Sequence, residues 1–221
     1  MSDPAAPEVG PEDRHHLERV LRLRPGETVV ATDGAGGWSL CRYTGNGRVL
    51  EAQGPVEREP APGPPLTVAF APLKGGRLEW VVQKLTEVGI DRIGVVATER
   101  SVVRWQPDRA ASAMGRLARV AAEACAQSRR VWVPELFGPV PLGRLGESAP
   151  GVALAEPGGG PVGPGLTAIA VGPEGGWAAD ELGAARVTVG LGPHVLRADT
   201  AALVAGALLA AHRAGTVVAG S

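Results

Sequence analysis

Two short stretches of the 221-residue chain carry residue types suited to holding a small molecule: VGPEGGW at 171–177 and LGPHVLRADT at 191–200. Each begins where a short apolar run ends. Glycines at such a place let a ligand approach the backbone, because no Cβ stands in the way, although the same cluster also makes an ordinary tight turn. His194 sits in the second stretch and is the one histidine near either of them; His15, His16 and His212 are accounted for by helix faces or ends. Arg197 and Asp199 come just before a helix rich in small residues, and Asp199 or Thr200 suits its N-cap. Two further stretches pair arginine with tryptophan. TERSVVRW (98–105) holds Arg100, Arg104 and Trp105, and QSRRVW (127–132) holds Arg129, Arg130 and Trp132. Guanidinium forks bind phosphates and indoles stack on unpaired bases. A solvated surface with the indoles packed in the core explains the same residues equally well. Gly158, Gly160 and Gly163 form a formal GxGxxG, but Pro161 and Pro164 stand where a dinucleotide site needs a helix to open, so this segment reads as a surface loop. No GxxxxGK[ST] occurs, which excludes that triphosphate cradle.

The elements that must position these stretches fall into two patterns. Helical spacing over EDRHHLERVLRLR (12–24), stopped by Pro25-Gly26, precedes three β-type runs, ETVVATD, WSLCRY and RVLEAQ, with hairpin turns at 33–37 and 44–47. Residues 54–65 hold five prolines and two glycines and read as an extended linker. Beyond it, strands and helices alternate: LTVAFA (66–71), a helix at 77–89, RIGVVAT (92–98), a helix across 108–128, the runs VALA, TAIAV and VTVGL, and a last helix over about 199–213. Leu78, Val81, Val82, Leu85 and Val88 lie on one stripe of the first of these helices. Such alternation predicts a mostly parallel α/β sheet, and ligands of such sheets bind beyond the carboxyl ends of strands, where both glycine-bearing stretches fall.

The totals set bounds on this reading. The formal net charge is −1, which does not suggest non-specific polyanion binding but leaves room for a local basic patch. Cys41 and Cys125 read as free thiols of a reducing compartment. The first residues lack the basic and apolar regions of a secretion signal, and the longest apolar stretch, 201–211, is too short to span a bilayer, so a cytoplasmic protein is expected.

Five segments together, KGGRLEWVVQKLTEVGIDRI (74–93), TERSV (98–102), RVAAEACAQSRRVWVPE (119–135), VGPEGGW (171–177) and LGPHVLRADTAALVA (191–205), resemble in order and spacing the bacterial 16S rRNA uridine-N3 methyltransferases of the RsmE family, in the SPOUT superfamily. The resemblance implies an α/β protein with a small N-terminal PUA-like β-barrel in 1–60 and a SPOUT methyltransferase domain in 66–221. It also implies a deep trefoil knot in about 150–213, which spacing alone cannot indicate because knots are so rare. It implies S-adenosylmethionine as cofactor, 16S ribosomal RNA in the small subunit as partner, and a homodimer. Carried over by motif, the cofactor loops comprise Gly172, Pro173, Glu174, Gly175 and Gly176, then Leu191, Gly192, Val195, Leu196 and Arg197, with Glu156 and Pro157 as a weaker third member. Arg197 is assigned to stabilising the uridine anion, Glu174 or Asp199 to taking the N3 proton, and Arg22, Arg24, Lys74, Arg100 and Arg104 to phosphate contacts. Three departures from the family pattern stand out: MSDPAAPEVG replaces the usual first strand, His194 stands where arginine is frequent, and Asp199 is a methylene shorter than the usual glutamate. The rival reading is a non-catalytic RNA-binding or assembly protein of the same fold, which need not bind S-adenosylmethionine; a methyltransferase acting on a different nucleotide also fits.

Overall fold

A computed structural model describes residues 3–10, 16–20, 22–45, 50–103 and 105–217. The chain divides into two compact units, one made of Met1–Ala61 with Arg129–Val133, the other of Pro62–Ser128 with Pro134–Ser221.

The smaller unit is built on an antiparallel sheet of β1 (Thr28–Thr32), β2 (Gly37–Tyr43) and β3 (Leu50–Ala52), with β4 (Glu57–Arg58) paired to the opposite end of β2. Its strands alternate in the manner of a sheet with one covered face: Ala31, Cys41, Tyr43 and Leu50 are buried together, while Val30, Leu40 and Arg42 are exposed. The β1–β2 turn is held by Asp33, whose carboxylate accepts the backbone N–H groups of Ala35 (2.7 Å) and Gly37 (2.9 Å). These bonds, the one from Ala35 foremost, hold the Asp33 carboxyl below the ordinary aspartate range. The segment 129–133 completes this unit. Gly36 N–H donates to Val131 O (3.0 Å), Val133 N–H donates to Gly34 O (3.0 Å), and a Cβ on Gly36 would stand 2.5 Å from the Trp132 ring. Trp132 is therefore a packing residue here, its Nε1–H donating to Glu59 O at 3.2 Å. The N-terminal segment also lies on this sheet, with Ser39 Oγ–H donating to Pro4 O at 2.6 Å.

Two expectations are corrected. The helix anticipated over 12–24 is a π-type turn at His16–Val20, and Arg22 has φ 52, outside any right-handed helix; residues 11–15 and 21 lie outside the described residues, as do 46–49 of the second hairpin turn. The proline-rich linker is also shorter than its composition suggests, because Glu57 and Arg58 pair with Trp38 and Gly37 as a strand.

The larger unit is a six-stranded sheet, parallel throughout, in the order β10-β8-β9-β5-β6-β7. Its elements run β5 (Thr67–Phe70), α1 (Arg77–Glu87), β6 (Arg92–Ala97), α2 (Pro107–Ser128), β7 (Glu135–Pro141), a 3-10 turn (Leu142–Arg144), α3 (Leu145–Ser148), β8 (Ala153–Gly160), β9 (Ala168–Val171), α4 (Ala179–Ala184), β10 (Thr188–Val189) and α5 (Ala198–Arg213). Val68, Phe70, Ile93, Val95, Ile169 and Val171 point to one face and pack with α1 and α5; Ala69, Val96, Ala168 and Ala170 point to the other and pack with Leu145, Ala149 and Trp177. A sheet covered on both faces requires this near-continuous apolarity. The small residues of α5 have a steric reason. A Cβ on Gly206 would lie 2.5 Å from Leu85 Cδ2, so α5 can approach α1 only with glycine there.

Strand β7 and helices α3 and α4 were not foreseen. ELFGPVP interrupts its apolar run with Gly138 and Pro139, which a strand tolerates at a sheet edge, and β7 is such an edge. The glycine run expected as a surface loop is the second half of β8, where Gly160 pairs with Val189. No helix among the described residues is long and apolar enough to cross a membrane.

Candidate functional site

Three neighbouring strands, β9, β8 and β10, meet at one cleft, which is lined by the chain leaving β9, the chain leaving β10 and residues 155–157 within β8. Its empty volume is about 670 Å³, open solvent at the mouth included. Within the β9 loop, Gly176 N–H closes a tight turn onto Pro173 O (2.9 Å), and Gly176 adopts φ 69, the left-handed region glycine occupies without strain. Gly172 is glycine for a different reason: a Cβ there would stand 3.0 Å from Trp177 Cε2. The Trp177 indole, 4 % exposed, lies against it and donates Nε1–H to Ala155 O at 2.9 Å, which joins the β9 loop to the first half of β8.

Strand β8 supplies the second wall through an irregularity. Thr188 pairs with Leu154 but the next residue, Val189, pairs with Gly160, so residues 155–159 have no partner in β10. Glu156 and Pro157 thereby line the cleft. Gly159 meets the returning chain backbone to backbone, since a Cβ on it would be 2.5 Å from Val189 C. The third wall comes from residues 191–198. Gly192 has φ 149, a conformation that side chains disfavour, and Val195 is 85 % exposed beside the cleft.

Val171, Leu191, Leu196, Ala198 and Ala201 give the cleft an apolar lining, and Gly172, Gly176 and Gly192 leave its backbone open. An apolar shelf with accessible peptide N–H and C=O groups suits a flat heterocycle recognised by main-chain hydrogen bonds. Among the described residues no group of three or more His, Cys, Asp and Glu side chains is placed to hold a metal ion.

Of the residues singled out from sequence, Gly172, Pro173, Glu174, Gly176, Leu191, Gly192, Val195 and Leu196 line the cleft, together with Glu156, Pro157 and His194. Gly175 and Arg197 are not in the lining. Gly175 faces Arg100 instead, whose Nη1–H donates to its carbonyl at 3.0 Å. Arg197 is the N-cap of α5, which corrects the capping expectation for Asp199 and Thr200; both lie inside the first turn. Asp199 sits with its Oδ2 3.6 Å from Arg77 Nε, away from the cleft lining. Lys74 and Arg100 are exposed on the loops after β5 and β6, Arg22 and Arg24 are exposed in the small unit, and Arg104 lies outside the described residues. Sequence reasoning missed Trp177 as a wall of the cleft. The signal was present in VGPEGGW, but an aromatic after a glycine turn is more often core packing, and here it does both jobs.

Comparison with known proteins agrees with this geometry. Residues 59–210 match the model of an RNA methyltransferase domain, and residues 9–50 match that of an RNA methyltransferase PUA domain. The ribosomal RNA small subunit methyltransferase E of Mycobacterium tuberculosis is 34 % identical over 224 residues, covering 89 % of this chain and 83 % of its own. The Synechocystis protein of the same name is 30 % identical over 216 residues, covering 86 % and 68 %. Among solved structures, a methyltransferase of Legionella pneumophila in complex with bound SAM superposes with a TM-score of 0.80 at 27 % identity, covering 95 % of this chain and 93 % of that one. The ribosomal RNA small subunit methyltransferase E of Neisseria gonorrhoeae, bound to S-adenosyl methionine, gives 0.74 at 25 % identity, covering 94 % and 92 %. The match of both domain models in order, the identity along nearly the whole chain and the shared fold lead to one conclusion: this chain belongs to the ribosomal RNA small subunit methyltransferase E family.

Proposed function

We propose that this chain transfers the methyl group of S-adenosylmethionine to N3 of a uridine in 16S ribosomal RNA of the small subunit, working as a cytoplasmic homodimer. The observation that carries the reading is the convergence of two glycine-bearing loops and a segment of β8 on one apolar cleft, in the fold of two relatives that hold this cofactor. The fit is favourable: the apolar lining suits the adenine, and the walls at Gly172 and Gly192 leave backbone groups within reach. When bound there, S-adenosylmethionine supplies an electrophilic methyl group on a sulfonium.

The residues of this chain do the rest. With the cofactor bound, the walls of the cleft would hold it for an incoming base to approach, and such positioning is a main contribution of a protein to methyl transfer. Uridine N3 carries a proton and attacks poorly until that proton leaves. Arg197, at the rim beside Leu196, stabilises the anion that forms, and a carboxylate, Glu174 or Asp199, accepts the proton. The base reaches the methyl only when unpaired or turned out of its stack. Residues 1–60 serve as the PUA-like β-barrel that engages RNA, with phosphate contacts from Arg22 and Arg24. Residues 66–221 form the methyltransferase domain, with further contacts from Lys74, Arg100 and Arg104. Within it, residues about 150–213 are threaded as a trefoil knot.

The test is methyl transfer from labelled S-adenosylmethionine to unmodified small subunits and to naked 16S RNA, followed by nucleoside analysis. N3-methyluridine is the expected product. Cofactor binding without transfer to either substrate would refute the assigned target, and no cofactor binding would refute the site.

A further inference from the structure

We infer that the Glu181 carboxylate is a positioning residue for methyl transfer: it fastens the cleft loop 173–178 to the segment 98–101 that follows β6. The inference rests on the reading of the cleft as the S-adenosylmethionine site.

Glu181 lies in the first turn of α4, directly after the loop that forms one wall of the cleft. Its two oxygens have separate partners. Oε2 accepts the N–H of Ala178 at 2.8 Å, and Oε1 accepts the N–H of Glu99 at 2.9 Å. Ala178 follows Trp177, which lines the cleft. Glu99 precedes Arg100, whose guanidinium donates to Gly175 O at 3.0 Å. The loop is therefore held to one neighbouring segment at two points, Gly175 and Ala178. That segment is itself a firm anchor. Thr98 and Ser101 are buried, their hydroxyl oxygens are 2.7 Å apart, and Ser101 Oγ also accepts Thr98 N–H at 3.3 Å.

Helix capping explains only half of this arrangement. A glutamate three residues into a helix commonly accepts the N-cap N–H, as Glu181 does from Ala178. The bond from Glu99, 82 residues away in sequence, adds nothing to a cap. Two backbone donors converging on two oxygens also require a carboxylate. Glutamine has the same size but presents one acceptor and one NH₂, so it can serve one partner and must turn a donor toward the other.

The experiment compares full-length wild type, Glu181→Gln and Arg100→Met by calorimetric titration with S-adenosylmethionine well below their melting temperatures, with steady-state methyl transfer alongside. Losing one charge-assisted hydrogen bond and opposing two donors weakens cofactor binding about tenfold in Glu181→Gln. Arg100→Met, which removes only the bond to Gly175 O, weakens it about threefold. In Glu181→Gln, kcat at saturating cofactor stays within about twofold of wild type, so the change falls on the cofactor KM; Arg100→Met is read by cofactor titration alone, because Arg100 is also assigned a phosphate contact. A role in folding alone would lower the melting temperature and leave the affinity of the folded protein unchanged; that result overturns the inference. Should Glu181→Gln not fold, wild-type affinity in Arg100→Met, a change at an exposed side chain, overturns it equally. If wild type itself binds no S-adenosylmethionine, the reading of the cleft fails and the inference falls with it, whereas binding by wild type and by Glu181→Gln alike removes the inference only.

Discussion

Gly172→Ala is the sharpest test of how the cleft is built. The added Cβ would stand 3.0 Å from Trp177 Cε2 and 3.2 Å from Cδ2. Comfortable carbon contacts are about 3.5–4.0 Å, so the indole must retreat by roughly 0.5 Å. It cannot do so freely, because it is 4 % exposed and tethered by its bond to Ala155 O at 2.9 Å. A retreat of that size takes the bond past the usual limit of about 3.2 Å. Overpacking costs about 1–3 kcal/mol, and a weakened hydrogen bond adds about 1 kcal/mol, for a total of about 2–4 kcal/mol. In a unit of this size about 2–4 °C of melting temperature goes with each kcal/mol, so scanning calorimetry should find a drop of about 4–16 °C. Since Gly172 and Ala155 belong to two of the three walls, S-adenosylmethionine titration should show about tenfold weaker binding. In a Trp177→Leu background the obstacle is gone, and adding Gly172→Ala should cost less than about 0.5 kcal/mol. A single Gly172→Ala variant with wild-type melting and wild-type affinity, or the same cost in the Trp177→Leu background, would refute the packing argument.

Gly192→Ala places a side chain at φ 149 in a wall of the cleft, so about 1–3 kcal/mol of strain and a marked loss of cofactor affinity are expected, measured by the same titration. Arg197→Ala should reduce kcat for methyl transfer by at least about tenfold while changing cofactor affinity little, because Arg197 caps α5 outside the cleft lining; a large loss of binding would contradict the role given to it. In the small unit, Asp33→Ala removes the acceptor for Ala35 and Gly37 N–H and should cost about 1–2 kcal/mol at neutral pH by denaturant titration. The folded-state pKa of Asp33 is depressed, so this contribution is fully present above the ordinary aspartate value and fades as pH falls through the folded one. Wild type and variant should thus converge in stability below about pH 4, and a gap that widens in acid would show the sign to be wrong.

The alternating half of the chain was legible because its signals are local. LTVAFA, RIGVVAT and the stripe of Leu78, Val81, Val82 and Leu85 declare period and burial within a few residues, and the structure has β5, β6 and α1 there. What escaped depends on partners distant in sequence. Glu57 and Arg58 become a strand only because β2 offers an edge, and 129–133 joins the small unit only because the β1–β2 turn accepts its backbone. Gly158–Gly160 reads as loop by composition, yet the close passage of Val189 and Gly190 is what demands a glycine at 159. The cleft was legible as two stretches but not as a cavity, because neither 171–177 nor 191–197 contains the information that residues 155–157 of β8 line it as well. The same holds for Trp177, whose second function exists only through the carbonyl of Ala155.

Position separates the two carboxylates that sequence alone left equivalent as proton acceptors. Asp199 lies in the first turn of α5, its carboxylate 3.6 Å from Arg77 Nε and largely covered, and it is not part of the cleft lining. Glu174 is exposed, lines the cleft, and stands at the tip of the turn that Gly176 closes onto Pro173. A general base must come within hydrogen-bond reach of the proton it takes, directly or through one water, and geometry decides before acidity does. Glu174 already lines the cleft, whereas Asp199 is engaged with Arg77 in holding the start of α5 to the start of α1, so we propose Glu174 as the proton acceptor. Glu174→Gln should therefore lower kcat about a hundredfold with cofactor affinity retained. Asp199→Asn should reduce thermal stability and leave kcat within about threefold, since an ion pair with a half-exposed arginine contributes little beyond about 1 kcal/mol. The opposite pattern, an inactive Asp199→Asn and an unaffected Glu174→Gln, would mean that α5 moves when RNA binds and brings its first turn to the base.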